Sequence, residues 1–381
     1  MIKYIDELKK EDLAGKRVLL RLDLNAPIVD GEIKDVSRLE SVIPTVDFLR
    51  INDAKVIIIA HAENKDGENE SLIPILHHLN GYFKTEFCPT YFTGEAIEKV
   101  LKMEDKSVLL FENVRTNPGE KENDPDFAHK LSQMADIYVN DAFSVSHRKH
   151  ASVVGVPQYI PHYGGLHLKS EIENLSKAFS PEHPFVFILG GAKFETKIPL
   201  VKKYLNKADT IFIGGALAND IYKAKGLEVG GSLVSKSSFD GEDLLSSNKV
   251  LVPVDVTVAD KEGVVSFKKP EEVNKSDCIV DAGPETLEQL KDVLNDAKTI
   301  IWNGPLGNYE KGFSDKTESL VEIIASLTEG GALSVVGGGD TVASIQKMDI
   351  GHKFSFVSTG GGAMMDYLVN ETLPGIEALE K

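Results

Sequence analysis

Short apolar runs rich in β-branched residues recur along the whole chain: RVLLRL (17–22), KVIIIA (55–60), VLLF (108–111), DIYVN (136–140), PFVFIL (184–189), TIFI (210–213), VLVPV (250–254), TIIW (299–302), ALSVV (332–336) and FSFV (354–357). Each has the length of a strand and lacks strict apolar–polar alternation, the pattern of a strand buried on both faces. Between many of them, as in SRLESVIPTVDFLR, PETLEQLKDVLNDA and KTESLVEIIASL, apolar positions recur at helical spacing. Strand then helix, repeated, predicts parallel sheets with helices packed on both faces. Four such strands precede residue 160 and six follow, and 381 residues exceed one ordinary core. The expected fold is therefore α/β, with two doubly wound Rossmann-like parallel-sheet lobes joined by a helical hinge. The stretch GVPQYIPHYGG (155–165) is the expected junction, and LHLKSEIENLSKAF (166–179) reads as an amphipathic connecting helix. The first lobe then spans 1–160 and the second 180–367.

Function enters through the residues that follow each strand, because ligands of open α/β sheets bind beyond the strands' carboxyl ends. In the first half, RVLLRL runs into Asp23 and Asn25, KVIIIA into His61, VLLF into Glu112, Asn113 and Arg115, and DIYVN into Asp141, His147, Arg148 and His150. Arg38 opens the first helix. Arginine forks and helix N-termini suit phosphate and carboxylate. In the second half the same positions carry glycine: Gly190-Gly191-Ala192-Lys193 with Lys197 one turn on, Gly214-Gly215, Asn303-Gly304-Pro305, Gly337-Gly338-Gly339-Asp340-Thr341, and Gly360-Gly361-Gly362. Glycine lets backbone amides approach a phosphate closely, and a following helix adds its dipole. Neither the Walker spacing nor that of protein kinases occurs. Asp340 beside such a cradle is a candidate Mg²⁺ ligand, since that ion takes one or two carboxylates plus substrate phosphates.

Charge sharpens this picture. The formal net charge is −17, which disfavours nucleic acid and anionic membranes as partners. An anionic ligand must therefore find its cations concentrated locally, and the arginines at successive strand ends provide that concentration. Only Cys88 and Cys278 are present, far apart in sequence, and the first residues lack an apolar export core; both features fit a reducing cytoplasm.

The chain resembles the phosphoglycerate kinase family over nearly its whole length. The resemblance rests on RLDLNAP (21–27), FENVRTNPGEKEND (111–124), VNDAFSVSHRKHASVVGVP (139–157), ILGGAK (188–193), VPVDVTVADK (252–261), WNGPLGNYE (302–310), VVGGGDTVAS (335–344) and STGGGA (358–363), in the family's order. It implies two lobes with a cleft and hinge, a tail (368–381) that packs back on the first lobe, a monomer, and closure on both substrates. It implies reversible transfer of a phosphoryl group between 1,3-bisphosphoglycerate and ADP, giving 3-phosphoglycerate and MgATP. By the resemblance, Asp23, Asn25, Arg38, His61, Arg115 and Arg148 match the phosphoglycerate-binding positions. Lys193 and Lys197 match the lysines at the transferred and terminal phosphates. Gly191, Ala192, Gly214, Gly215, Asn303, Pro305 and Glu310 fall in the nucleotide pocket, and Gly337, Gly338, Gly339, Asp340 and Thr341 in the phosphate loop, with Asp340 toward Mg²⁺. Such a reaction needs alignment and cationic stabilisation and no general base, because the accepting carboxylate is already ionised. Arg38, Lys193 and the amides of Gly338 and Gly361 are the expected catalytic groups.

Four departures from the family pattern stand out. The family usually shows S-H-L-G-R-P after the second strand; here Glu63 stands at the glycine and Asn64 at the arginine, with Lys65 next door. The family's A-K-V-x-D-K reads Ala192-Lys193-Phe194-Glu195-Thr196-Lys197. A triple glycine becomes Gly214-Gly215-Ala216, and 232–255 is short of the family's helix. The missing arginine removes a contact worth about 1.5–3 kcal/mol. Two other readings stay open on these residues: a same-fold kinase with weakened activity or a different acidic substrate, and a non-enzymatic nucleotide-binding paralogue.

Overall fold

All of the apolar runs become strands of two parallel sheets. In the computed structural model, which describes residues 1–192, 194–235 and 241–380, the first sheet has the order Thr85–Cys88, Val108–Phe111, Lys55–Ile59, Arg17–Arg21, Ile137–Asn140, His162–Gly164. Every neighbouring pair is parallel. Val18 sits opposite Val56 on one side and Ile137 on the other. Val18, Leu20, Val56 and Ile58 are fully buried or nearly so, against Val42, Val46 and Leu49 of the helix Ser37–Ile51. Each such aliphatic side chain contributes about 1.5–3 kcal/mol of transfer free energy.

The second sheet runs Val250–Leu251, Thr210–Ile213, Phe185–Leu189, Thr299–Asn303, Leu333–Gly337, Phe356–Val357, again all parallel. Its core packs Val186, Ile188, Ile300 and Trp302 against Leu290, Leu294, Leu320 and Ile324. Those last four residues lie on the helices Pro284–Leu294 and Asp315–Glu329.

Three features depart from the sequence pattern. Thr85–Cys88 and His162–Gly164 are additional strands at the two edges of the first sheet, too short and mixed to register as apolar runs. The run at 250–254 pairs only over Val250–Leu251, ending two residues before Pro253, which has no amide to donate. The chain then enters an antiparallel sheet ordered Val265–Lys268, Val256–Ala259, Cys278–Ala282. Val265 and Phe267 of its edge strand are exposed, so that strand carries no burial signal in the sequence.

Contacts divide the chain into two compact units, one formed by Met1–Glu173 with the segment from Thr372 onward, the other by Asn174–Glu371. The division falls inside the helix Leu166–Ser176. In the first unit the Gly375 amide of the helix Pro374–Ala378 donates to the Ser146 carbonyl at 2.8 Å. Both cysteines are free. Among the described residues, no helix is long and apolar enough to cross a membrane.

Candidate active site

Because each sheet is parallel, all its carboxyl ends share one edge, and the loops there bring distant residues together. In the first unit the Leu22 amide bonds to the Ile59 carbonyl at 3.1 Å, which delivers Asp23 beyond the sheet edge. Asp23 is buried; its Oδ2 accepts from Ser144 Oγ at 2.5 Å and its Oδ1 from the Asn25 amide at 3.1 Å. Arg38, in the first turn of its helix, places Nη1 3.5 Å from Asp23 Oδ2 and 3.3 Å from the Asn25 carbonyl. The Asn25 side chain accepts from the Glu63 amide at 2.9 Å.

His61 is buried beside Arg21, a fully buried arginine that sequence reasoning passed over as part of a strand. Arg21 Nη2 lies 3.2 Å from His61 Nδ1, and Arg21 Nε donates to Ser152 Oγ at 2.9 Å. An arginine only donates, so this bond assigns the acceptor role to Nδ1 and leaves the proton of His61 on Nε2. Burial first, then the charges of Arg21, Arg115, Arg38 and His150, hold His61 well below the ordinary histidine range. It is therefore a neutral donor at physiological pH.

Arg115 comes from the turn Val114–Thr116, which is tied to the second strand's exit loop. The Val114 amide bonds to the Ala60 carbonyl at 2.9 Å, and Asn113 Nδ2 bridges the Ala62 and Glu70 carbonyls at 2.6 and 2.8 Å. The Arg115 guanidinium pairs with Glu63, which also receives Lys121 Nζ at 3.0 Å. Arg148 is exposed on the loop after Ile137–Asn140 and acts on its neighbours through its field. Burial, followed by Arg115, Arg21, Arg148 and Lys121, lowers His150 to about 4. Asp23, Asn25, Arg38, His61 and Arg115 thus belong to one cluster at one sheet edge. Asn64 serves its own loop: its Oδ1 accepts from the Asp66 and Glu68 amides at 3.0 and 2.9 Å, closing a tight turn.

In the second unit the glycine loops are stitched to one another. The Gly190 amide bonds to the Asn303 carbonyl (2.9 Å), Gly191 to Pro305 (2.7 Å) and Gly214 to Leu189 (2.7 Å). Gly215 has a φ of +60°, and a Cβ there would lie 2.5 Å from the Gly191 nitrogen and 2.9 Å from the Pro305 oxygen. No other residue fits that approach. Around these loops lies a cavity of about 420 Å³, lined by Gly191, Ala192, Gly215, Pro305, Glu310 and Asp340 of the expected residues. Its apolar wall comes from Tyr222, Leu233, Val256, Ile279 and Leu306, two of them, Val256 and Ile279, on the unanticipated antiparallel sheet. Asp281 lines it too; burial raises this carboxyl to about 7, against hydrogen bonds from the Lys316 and Ala282 amides.

Lys197, on the helix Phe194–Tyr204, points Nζ back to the Gly190 carbonyl at 2.5 Å. Burial lowers its amine to about 8, with Asp340 pulling the other way. Gly338 precedes the helix Gly339–Lys347, and a Cβ on it would sit 3.2 Å from the Gly304 nitrogen. Asp340 and Thr341 form that helix's first turn; Thr341 is fully buried, and its Oγ1 lacks a bond partner. Asn303 is buried with Nδ2 3.8 Å from Met364 Sδ, and Met364 also backs Gly337. Gly361 precedes the helix Gly362–Asn370. Gly214, Asn303, Gly337, Gly338, Gly339, Thr341, Lys197 and Gly361 lie outside the cavity lining. Lys193 falls outside the described residues.

The carboxylate of Asp340 is exposed at the cavity mouth, and its acidity is weakened first by partial burial and then by the charge of Glu310. A cation there would relieve that repulsion. Among the described residues no group of three or more His, Cys, Asp or Glu side chains is arranged to hold a metal ion. The donor set fits Mg²⁺ held by one carboxylate and a ligand's phosphates, and does not fit an all-protein cage.

Comparisons with known proteins bear on the family and the fold. A family model described as phosphoglycerate kinase matches residues 7–371. A phosphoglycerate kinase of Dictyoglomus turgidum is 40% identical over 397 aligned positions, covering 99% of each chain. That of Fervidobacterium nodosum is 40% identical over 390, covering 98% of this chain and 97% of its own. Among solved structures, phosphoglycerate kinase from Coxiella burnetii superposes with a TM-score of 0.84 at 34% identity, covering 100% of this chain and 99% of that one. The Pyrococcus horikoshii enzyme gives 0.87 at 30% identity, with 100% and 98% covered. With a match of that extent in sequence and in fold, the chain belongs to the phosphoglycerate kinase family.

Proposed function

We propose that the first unit holds the phosphorylated acid through Asp23, Asn25, Arg38, His61, Arg115 and Arg148, and that the second holds the nucleotide. The chain is a phosphotransferase with a carboxyl group as acceptor. Its reaction is the reversible transfer of a phosphoryl group between 1,3-bisphosphoglycerate and ADP, giving 3-phosphoglycerate and ATP. The readings of an altered kinase and of a non-enzymatic paralogue are not favoured, since curated relatives bearing this name align over nearly the whole chain.

One observation carries the assignment of the first unit: five polar residues, drawn from three strand exits and the first helix, converge at one sheet edge in a chain of net charge −17. Arg38 and Arg115 supply fixed positive charge, and His61 offers Nε2–H while remaining neutral. Asp23, held by Ser144 and the Asn25 amide, is an acceptor suited to a ligand hydroxyl. In the second unit the apolar wall suits a base, Glu310 a ribose, and Lys197 with the glycine amides the phosphates. Lys193, Arg38 and the Gly338 and Gly361 amides are assigned to charge developing on the transferred group. Asp340 would hold Mg²⁺, which neutralises phosphate charge when bound. We place the enzyme in the cytoplasm, as the two free, separated thiols favour, and as a monomer, as is usual in the family.

The deciding experiment is a coupled assay with 3-phosphoglycerate and MgATP. Turnover is expected. Absent turnover with ATP still bound by calorimetry would overturn the acid-site assignment.

A further inference from the structure

We propose that Glu63 is a built-in counter-ion that restrains acid binding: its carboxylate occupies Arg115 in the free protein and must be displaced before a ligand phosphate can take that arginine. The inference rests on reading Arg115 as a ligand-binding residue.

The geometry begins with where Glu63 is anchored. Its amide is fixed to Asn25 Oδ1 at 2.9 Å, so the residue is tied by its backbone to the acid-site loop. Its side chain extends to Arg115 Nη1 through Oε2 and to Lys121 Nζ through Oε1 at 3.0 Å. Two cations in a cluster suited to an anion thus already share one carboxylate of the protein's own. Burial disfavours the charged carboxylate, yet the hydrogen bonds from Lys121 and Arg115 outweigh it and leave Glu63 more acidic than usual. It is ionised throughout the physiological range.

The pairing is incomplete on the arginine's side. The Arg115 side chain is only 6% exposed, and its Nε is buried without a hydrogen-bond partner. Glu63 engages Nη1 and leaves the neighbouring edge of the fork unused. A phosphate offers three oxygens and nearly two charges, enough to take Nε and a terminal nitrogen together. A ligand carboxylate offers no more charge than Glu63 and must also release Glu63 from Lys121. Any anion that takes Arg115 meets this same displacement cost, and the phosphate dianion carries the charge to exceed it. The cost also weakens phosphate binding itself, because each binding event must break an ion pair.

The test is calorimetric titration of the full chain, without nucleotide, with 3-phosphoglycerate and with glycerate. The proteins are wild type, Glu63→Gln, Glu63→Gly (the family's usual residue) and Arg115→Ala. Glu63→Gln is expected to bind 3-phosphoglycerate about tenfold tighter. Its affinity for glycerate should rise by no more than that factor. Glu63→Gly should repeat both changes, which guards against a folding defect in either variant; unfolding midpoints verify the fold. Unchanged or weaker 3-phosphoglycerate binding in both folded variants, with Arg115→Ala clearly weakened, overturns the counter-ion role alone. An Arg115→Ala protein that binds as tightly as wild type overturns the reading of Arg115 itself, and this inference with it.

Discussion

Replacing Arg38 by alanine isolates one cation of the acid site at little structural cost. In the free protein Arg38 makes a 3.3 Å bond to the Asn25 carbonyl and a 3.5 Å ion pair with Asp23, from a side chain 31% exposed. Asp23 keeps its bonds from Ser144 and the Asn25 amide after the change. Exposure and the long pair distance put the stability loss below about 1 kcal/mol. The catalytic loss should be larger. A preorganised cation aimed at developing charge is worth about 2.7–4 kcal/mol, or roughly a hundred- to a thousandfold in kcat. Uniform binding alone, at about 1.5–3 kcal/mol for a charge-assisted contact, would raise KM and leave kcat intact. Coupled kinetics with 3-phosphoglycerate and MgATP, alongside a urea unfolding curve, separate these outcomes. The expected result is a kcat drop of more than about tenfold with a nearly unchanged midpoint, and only partial rescue by lysine, which lacks the planar fork. A kcat within twofold of wild type would refute a transition-state role for Arg38.

Three further outcomes are expected. Lys197 is lowered to about 8, so ATP affinity should weaken from pH 7 to 9 as its charge is lost, and Lys197→Met should flatten that profile; parallel profiles would exclude it as a phosphate ligand. Gly215→Ala should weaken ATP binding at least tenfold, because its Cβ would meet the Gly191 nitrogen at 2.5 Å; calorimetric affinity equal to wild type would remove that loop from the pocket. Burial raises Asp141 from 3.8 to about 7, so its contribution to stability is complete below 3.8 and is lost as pH rises through 7. The stability of Asp141→Asn relative to wild type should therefore climb between about pH 4 and 7 and then level off, as read by thermal unfolding; a pH-independent difference would show that Asp141 does not titrate in that window.

The apolar runs determined all strands of the parallel sheets but the two edge strands of the first, because a strand buried on two faces leaves a continuous signature that no solvent-facing element imitates. The residues after those runs, Asp23, His61 and Arg115 in one half and Gly191, Gly215 and Asp340 in the other, were legible for the same reason: a parallel sheet brings every strand exit to one edge. What the sequence left dark depends on partners far apart in the chain. Arg21 looks like an ordinary strand residue until the fold buries it beside His61 and fixes that ring's proton. The cavity's apolar wall rests on an antiparallel sheet whose exposed edge strand carries no burial pattern. Asn64 reads locally as a missing cation, yet the fold uses it to close a turn, while Glu63 gains its meaning only when Arg115 and Lys121 are folded against it. Periodicity is a local property and survives in the linear order; charge pairing and cavity walls are set by distances that exist only once the chain has folded.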